Sequence, residues 1–383
     1  VRLWRHPDPQ AGAAMSGIYD AVVVGAGVHG ATTALFLARG GMRVAVVDRA
    51  AICREASGVN AGTLTMQMTR VALMPFALEA HAMWASAKTW LGHDVGVVVC
   101  DGLSLAFTEG EAALLTERAA RRREAGAPIE IVNFRRAREI EPGLSSDVLI
   151  AGHCRVDGYA NAYLTGLAYR RALIEAGVTL HENTEVTGVD RVGDSWVLHC
   201  RPTSIRARRV ILAGGVWLEK MAGWFGVHVP IKTLVNQLSV TERIAPVMRT
   251  VIGIASGLLS LKQYPHGTVV IGGGWQGKGD RETRATELVP ESLIGNVRLA
   301  CHTIPALAHS RIARAWLGFE AETADALPAV GALPDRDGVH MIGSVHSGYT
   351  SGICIAKLFA QQLLGGTSHL SLGAFDPARL VVA

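Results

Sequence analysis

The amino-acid sequence predicts an α/β protein of two domains. One is built on a parallel, doubly wound sheet gathered from separate stretches of chain, and the other is α+β with a mostly antiparallel sheet. Three observations predict it. At 383 residues the chain is long for a single core. A strand, a glycine-rich turn, a helix and a second strand follow one another between Tyr19 and Asp48. Strand-rich sequence with one long helix then occupies residues 228–320, inside the α/β framework.

In chain order, residues 1–14 read as a flexible leader before a natural start near Met15. The run from Tyr19 to Val24 is almost continuously apolar, as a parallel strand buried on both faces should be. It enters Gly25-Ala26-Gly27-Val28-His29-Gly30, and the Ala/Leu-rich segment that follows reads as a helix closed by Gly40-Gly41. A second apolar strand ends on Asp48. Each glycine of this GxGxxG has a task. Gly25 permits the tight turn, Gly27 leaves room for a pyrophosphate against the backbone, and Gly30 lets helix pack on strand. The helix N-terminus offers N–H groups and the positive end of its dipole. Asp48, 18 residues beyond Gly30, is placed to hydrogen-bond ribose hydroxyls. The unit predicts a Rossmann-like dinucleotide-binding domain and leaves a nicotinamide and a flavin both open.

The next segment, from Arg49 through Ser57, Gly58, Asn60 and Gly62, is a loop of small residues where an NAD dehydrogenase would continue with another crossover helix and strand. Small residues let a loop lie against a large flat ligand, and Ser57 and Asn60 can add side-chain hydrogen bonds. Residues 95–149 show short strands and charged helices. Further on, 207–220 gives an apolar strand ending at Ala213-Gly214-Gly215, a second place where a strand's carboxyl end presents bare backbone. No internal repeat or low-complexity stretch interrupts this order.

Composition narrows the function. With 49% apolar and 18% charged residues the chain suits a packed globule. The net charge of +4 is mild. The arginine clusters at 118–123 and 135–138 read as solvated helix faces, and no nucleic-acid-binding motif is present. Six cysteines lie tens of residues apart without a CxxC or a Cys/His pair at metal spacing, so no metal site is expected. The N-terminus lacks the apolar core of a secretory signal and no uncharged apolar run reaches 18 residues, so a cytoplasmic protein is expected.

Four pieces carry a likeness: VVVGAGVHGATTALFLARGGMRVAVVDR, SGVNAGTL, VILAGGVW, and the C-terminal DALPAVGALPDRDGVHMIGSVHSGYTSG. In this order they resemble the D-amino-acid oxidase superfamily of FAD proteins. The likeness is to the branch with sarcosine oxidase beta subunits, glycine oxidase, hydrogen cyanide synthase and the beta subunits of proline or opine dehydrogenases. The resemblance implies an FAD-binding domain of residues 15–94, 150–227 and 321–383, and a substrate domain of 95–149 and 228–320. It also implies that Gly25, Gly27, Gly30, Asp48 and Arg49 hold the ADP half of FAD, with Val28 and His29 in the same turn. Ser57, Gly58, Asn60, Ala61, Gly62 and Leu64 would line the flavin side, and Val186 would meet the adenine region. Ala213, Gly214 and Trp217 would border the pyrophosphate and ribityl chain. Gly348, Tyr349 and Thr350 would bring a helix N-terminus to the N1–C2=O edge, where its dipole favours the anionic reduced flavin.

The resemblance implies oxidation of a small amine or amino acid, with a secondary amine such as sarcosine, proline or an opine favoured. The bond oxidised is C–N, by hydride transfer to flavin N5, and the resulting imine hydrolyses. The cofactor carries that chemistry, so no nucleophile or strong base is obligatory, and no GxSxG is present. Many relatives hold a substrate carboxylate with an Arg in the strand before the C-terminal motif, but here 315–325 contains none. Lys232, Arg249, Lys262 and Arg314 remain as cations. Of these Lys262 is the candidate, with a solvent-facing strand lysine as the plain alternative. Glu320 could pair with a cationic substrate group or sit on a solvated edge. Tyr264 and His346 are further candidates for substrate contact. No Cys lies in 311–330 to attach the flavin, so FAD is expected to be non-covalent. An alpha subunit with further redox centres is the expected partner. An FAD-bearing electron-relay or structural subunit without its own substrate, or an NAD-dependent dehydrogenase, are the alternatives.

Overall fold

The computed structural model describes residues 17–344 and 348–382, and its strands form two large sheets. In the first, five strands run parallel in the order Val339–Gly343, Ser204–Leu212, Tyr19–Val24, Val44–Val47 and Thr179–His181. Ala329–Ala332 closes one edge antiparallel, and Ser195–Cys200 and Val186–Val192 extend antiparallel from Ser204–Leu212. The central strand shows why its sequence is apolar from Ala21 to Val24. Ala21 and Val23 pack on the helices Val28–Arg39, Met74–Ala85, Ala162–Glu175 and Gly348–Leu363. Tyr19, Val22 and Val24 face the opposite core with Trp217, Phe225 and Val229. Two-residue alternation with both faces covered requires apolar residues at every position.

The second sheet has nine strands, in the order Ile312–Glu322, Lys232–Thr241, Val269–Gly272, Ser260–Gln263, Val251–Ile254, Val98–Ala106, Ile150–Tyr159 and Thr63–Leu64, with Ile129–Asn133 on Ile150–Tyr159. Every pairing is antiparallel except that of Val251–Ile254 with Val98–Ala106. Helix Pro290–Thr303 covers its core through Ala300. Thr63–Leu64 and Ile150–Tyr159 fall within 15–94 and 150–227, stretches that the resemblance assigned to the FAD-binding domain. Both lie in this sheet, because Ile150–Tyr159 pairs along its length with Val98–Ala106 and at its end with Thr63–Leu64.

Local signals set the helix starts. Thr108 accepts the Glu111 N–H at 3.2 Å, and Asn161 accepts those of Tyr163 and Leu164. The arginine cluster of helix Glu109–Glu124 is not wholly a solvated face. Arg118 donates to the Ala255 carbonyl at 2.7 Å and Arg122 to that of Thr69 at 3.0 Å, tying the helix to its neighbours. No helix among the described residues is long and apolar enough to cross a membrane.

Candidate active site

A cleft of about 1100 Å³ opens at the carboxyl ends of the parallel strands. Gly25 ends the first strand at φ +108°, and a Cβ there would stand 2.5 Å from the Ala213 carbonyl oxygen. A Cβ on Gly30 would stand 2.0 Å from the Gly25 oxygen, so Gly30 acts by close packing and does not line the cleft. Asp48 closes the turn, accepting the Ala26 N–H at 2.6 Å on one oxygen and the Ala50 N–H at 2.7 Å on the other. Burial pushes its carboxyl pKa up, opposed by those same N–H groups. The Ser57 hydroxyl accepts the Val28 N–H at 2.9 Å, joining the small-residue loop to the N-terminus of helix Val28–Arg39. Arg49 stacks over Trp217 with its guanidinium 3.6 Å from the ring centroid. Val186, Ala213 and Gly214 complete this wall.

A second cleft of about 1370 Å³ lies between the two sheets and shares His29, Ala56, Ser57, Gly215, Phe319, Ala321 and Ser344 with the first. Gly348, Tyr349 and Thr350 bring the start of helix Gly348–Leu363 to its wall. Tyr349 is fixed by a 2.7 Å hydrogen bond to Thr165 and by stacking on Trp84 at 4.7 Å. Opposite stand Asn236, Leu238 and the stretch from Gly318 to Ala321. Val28 and Ala61 line this cleft as well. Asn60 also reaches it, but its amide braces the loop, donating to Ala56 and Ser57 and accepting the Gly62 N–H at 2.6 Å.

These surfaces fit a dinucleotide with a planar ring. Glycine backbone and a helix N-terminus border the first cleft. Two buried polar atoms there, His29 Nε2 and Arg49 Nη2, have no hydrogen-bond partner, although the latter lies 3.5 Å from Glu55. Burial lowers the His29 pKa to about 4, so its imidazole is neutral near pH 7.

Other predicted residues stand behind the walls. Gly58 and Gly62 line neither cleft, and Cβ atoms on them would meet the Cys53 and Ala160 carbonyl oxygens at 2.1 Å each. Leu64 is core. The Tyr264 hydroxyl is directed at the backbone, 3.1 Å from the Ala160 oxygen, and burial raises its pKa. Lys262 is not the solvent-facing lysine of the plain alternative. It is fully buried, with Nζ 2.5 Å from Thr63 Oγ1, and burial lowers its pKa to about 7. Glu320 is no solvated edge residue, for it lines the second cleft and accepts from Asn236. His346 lies outside the described residues. Lys232 pairs with Glu322 at 3.4 Å, Arg249 donates to the carbonyls of Glu139 and Ile140, and neither they nor Arg314 lines either cleft. Sequence reasoning missed Thr63, Thr65, Asn236 and Gln276. For Asn236 a polar residue inside an apolar strand was the available signal.

The family model for FAD dependent oxidoreductases (DAO) matches residues 20–362. The B-type subunit of opine oxidase from Rhizobium meliloti is 28% identical over 376 residues, covering 94% of this chain and 97% of the relative. The beta subunit of sarcosine oxidase from Rhizobium meliloti (strain 1021) is 25% identical over 370 residues, covering 94% and 87%. The crystal structure of glycine oxidase from Geobacillus kaustophilus has the same fold, with a TM-score of 0.87 at 24% identity, covering 94% of this chain and 98% of that one. With a match across most of its length and a glycine-bordered cleft at its strand ends, the chain belongs to the DAO family of FAD dependent oxidoreductases.

Proposed function

We propose that the chain oxidises the C–N bond of a small amine or amino acid, as the catalytic subunit of a larger assembly. The observation that carries this reading is the shared wall of the two clefts. His29, Ser57 and Ser344 line both clefts and would flank a planar ring held there, with the space between the sheets left for a substrate. In this reading the eight-stranded sheet carries the nucleotide and the nine-stranded sheet carries the substrate.

FAD, when bound, supplies the two-electron acceptor: hydrogen leaves the carbon beside the nitrogen with its electron pair for flavin N5, and water hydrolyses the imine left behind. The protein's own part is binding, orientation and exclusion of water. Asp48, Arg49 and the turn Gly25–Gly30 would hold the nucleotide. The N-terminus of helix Gly348–Leu363 supplies positive potential at the wall it lines. Lys262 acts from behind that wall as a positioning residue, holding the hydroxyls of Thr63 and Ser260 from a site with no solvent contact. Two of the relatives are named as parts of larger oxidases, which supports a partner chain for this one.

Anaerobic titration of purified protein with N-methylglycine, proline, glycine and opines tests the reading. Bleaching of the oxidised flavin band by one of them is expected. A flavin that dithionite bleaches but no amine or amino acid does would favour an electron-relay role instead.

A further inference from the structure

Lys262 is a buried base whose side chain has no solvent contact. Among the described residues its Nζ hydrogen-bonds to two groups, Thr63 Oγ1 at 2.5 Å and Ser260 Oγ at 3.5 Å. No carboxylate offsets the cost of burying its charge, and its pKa falls to about 7. A lysine in this state offers an uncharged amine at neutral pH, which an exposed lysine does not.

Both hydroxyls line the cleft between the sheets. They lie 3.0 Å from one another. Thr63 is fixed by pairing with Tyr159 in the sheet and by the Thr350 hydroxyl, which donates to its carbonyl at 3.2 Å. A hydroxyl donates and accepts at once, so Thr63 can take a proton from the cleft while giving its own to Nζ. Neighbouring groups do not divert that proton. Burial pushes the Cys100 thiol and the Tyr159 phenol up to about 12, and that of Tyr264 upward as well. The Asp157 carboxylate is engaged by the Thr65 hydroxyl at 2.7 Å and the Met66 N–H at 2.8 Å. His29, in the cleft lining, is the weaker base, with its pKa lowered to about 4.

Oxidation beside a nitrogen draws on the nitrogen lone pair, and an alkylammonium in water keeps its proton up to about pH 10. We propose that Lys262, working through the Thr63 hydroxyl, takes the proton from the substrate ammonium before the C–N bond is oxidised. The substrate N–H bond breaks and its proton bonds to Thr63 Oγ1, while the hydroxyl's own proton bonds to Nζ. One positive charge moves from the substrate nitrogen to Lys262, and no electrons are transferred. The reverse passage, to water that enters once the product has left, resets the relay. The inference rests on the amine-oxidation reading above and gives the buried lysine a task beyond positioning.

The test follows anaerobic flavin reduction in the holoenzyme by N-methylglycine, proline, glycine and opines, between about pH 6 and 10. In the parent protein kcat/KM should reach a plateau near pH 7 and hold within about threefold to about pH 9. Lys262→Met leaves only amine that is already neutral in solution to react. Its kcat/KM should lie on the order of 10²-fold below the parent at pH 7, rise about tenfold per pH unit, and close on the parent toward pH 10. Thr63→Val should reproduce that profile with Lys262 in place, and Thr63→Ser should restore the plateau. The resting holoenzyme supplies a readout without turnover: one lysine Cε NMR signal should titrate near pH 7 and be missing from Lys262→Met. A deficit of equal size at every pH in both variants, or a parent profile that both variants share, overturns the relay and leaves amine oxidation standing. So does a resting holoenzyme in which no lysine titrates below about pH 9. Should Lys262→Met fail to hold flavin, Thr63→Val decides the matter. No reduction of the parent by any of these amines, in a protein whose flavin dithionite bleaches, overturns both.

Discussion

Gly25→Ala tests the turn on which the nucleotide cleft depends. Gly25 sits at φ +108°, beyond the left-handed region that other residues visit, and left-handed backbone alone costs an L-residue about 1–2 kcal/mol. The new methyl would lie 2.5 Å from the Ala213 oxygen and 2.6 Å from its carbonyl carbon. Neither side can move freely. The Gly25 N–H is bonded to Val47 at 2.8 Å and the Ala213 N–H to Val24 at 2.8 Å, so relief requires separating strand ends inside the parallel sheet. Adding strain to the clash gives a loss of about 3 kcal/mol or more, placed on the wall of the cleft proposed to hold FAD. Gly110→Ala is the control, since a Cβ there meets nothing within 4 Å and its effect should stay within about 0.5 kcal/mol. The assay is flavin absorbance per mole of purified protein, with thermal unfolding alongside. Gly25→Ala should purify largely without flavin and melt several degrees lower. A variant with full flavin content and the parent melting temperature would refute the argument that this turn must be glycine.

Further outcomes follow from the same geometry. Asp48→Ala leaves the Ala26 and Ala50 N–H groups without their acceptor and should speed FAD loss at least about tenfold, read by the rise of flavin fluorescence on release. Lys262 has a folded pKa of about 7 against an ordinary value of 10.5, so the unfolded chain takes up the proton first as pH falls, and folded stability declines from 10.5 down to about 7. Lys262→Met should therefore be the more stable near pH 7, with the gap closing by about 1 kcal/mol per pH unit toward pH 10 in urea titrations; a gap that ignores pH would exclude Lys262 as the titrating group. Asp325 is pushed up by partial burial but held down more strongly by Arg379 and the Leu327 N–H, to about 2. Its pairing with Arg379 thus stabilises the fold above about pH 4 and is lost as pH falls through 2, so Arg379→Met should cost up to about 1 kcal/mol more at neutral pH than at about pH 1.

Much of the first sheet was legible because its signals are local. Both-face burial makes Ala21–Val24 apolar without interruption, and the turn at Gly25–Gly30 needs glycine for steric reasons that any sequence must meet. The helix at Gly348 and the strand running to Ala213 are equally local, and Arg49 and Trp217, singled out from sequence, both line the first cleft. The substrate side was less legible. Tyr264 and Lys262 occupy an alternating strand and hairpin whose faces are set by partners far away in sequence. A period of two says that two faces exist but not which one meets a cavity. The nine-stranded sheet turned Tyr264 toward Ala160 and put Lys262 under Thr63, about 200 residues earlier in the chain, while Glu320 came to face the cleft. The glycine turn at Gly25–Gly30, the family and the lack of an arginine at 315–325 could all be read from the order of residues. The convergence of Glu320, Asn236 and Gln276 on one wall could not, because side chains from segments 40 and more residues apart meet there through pairings that no local pattern encodes.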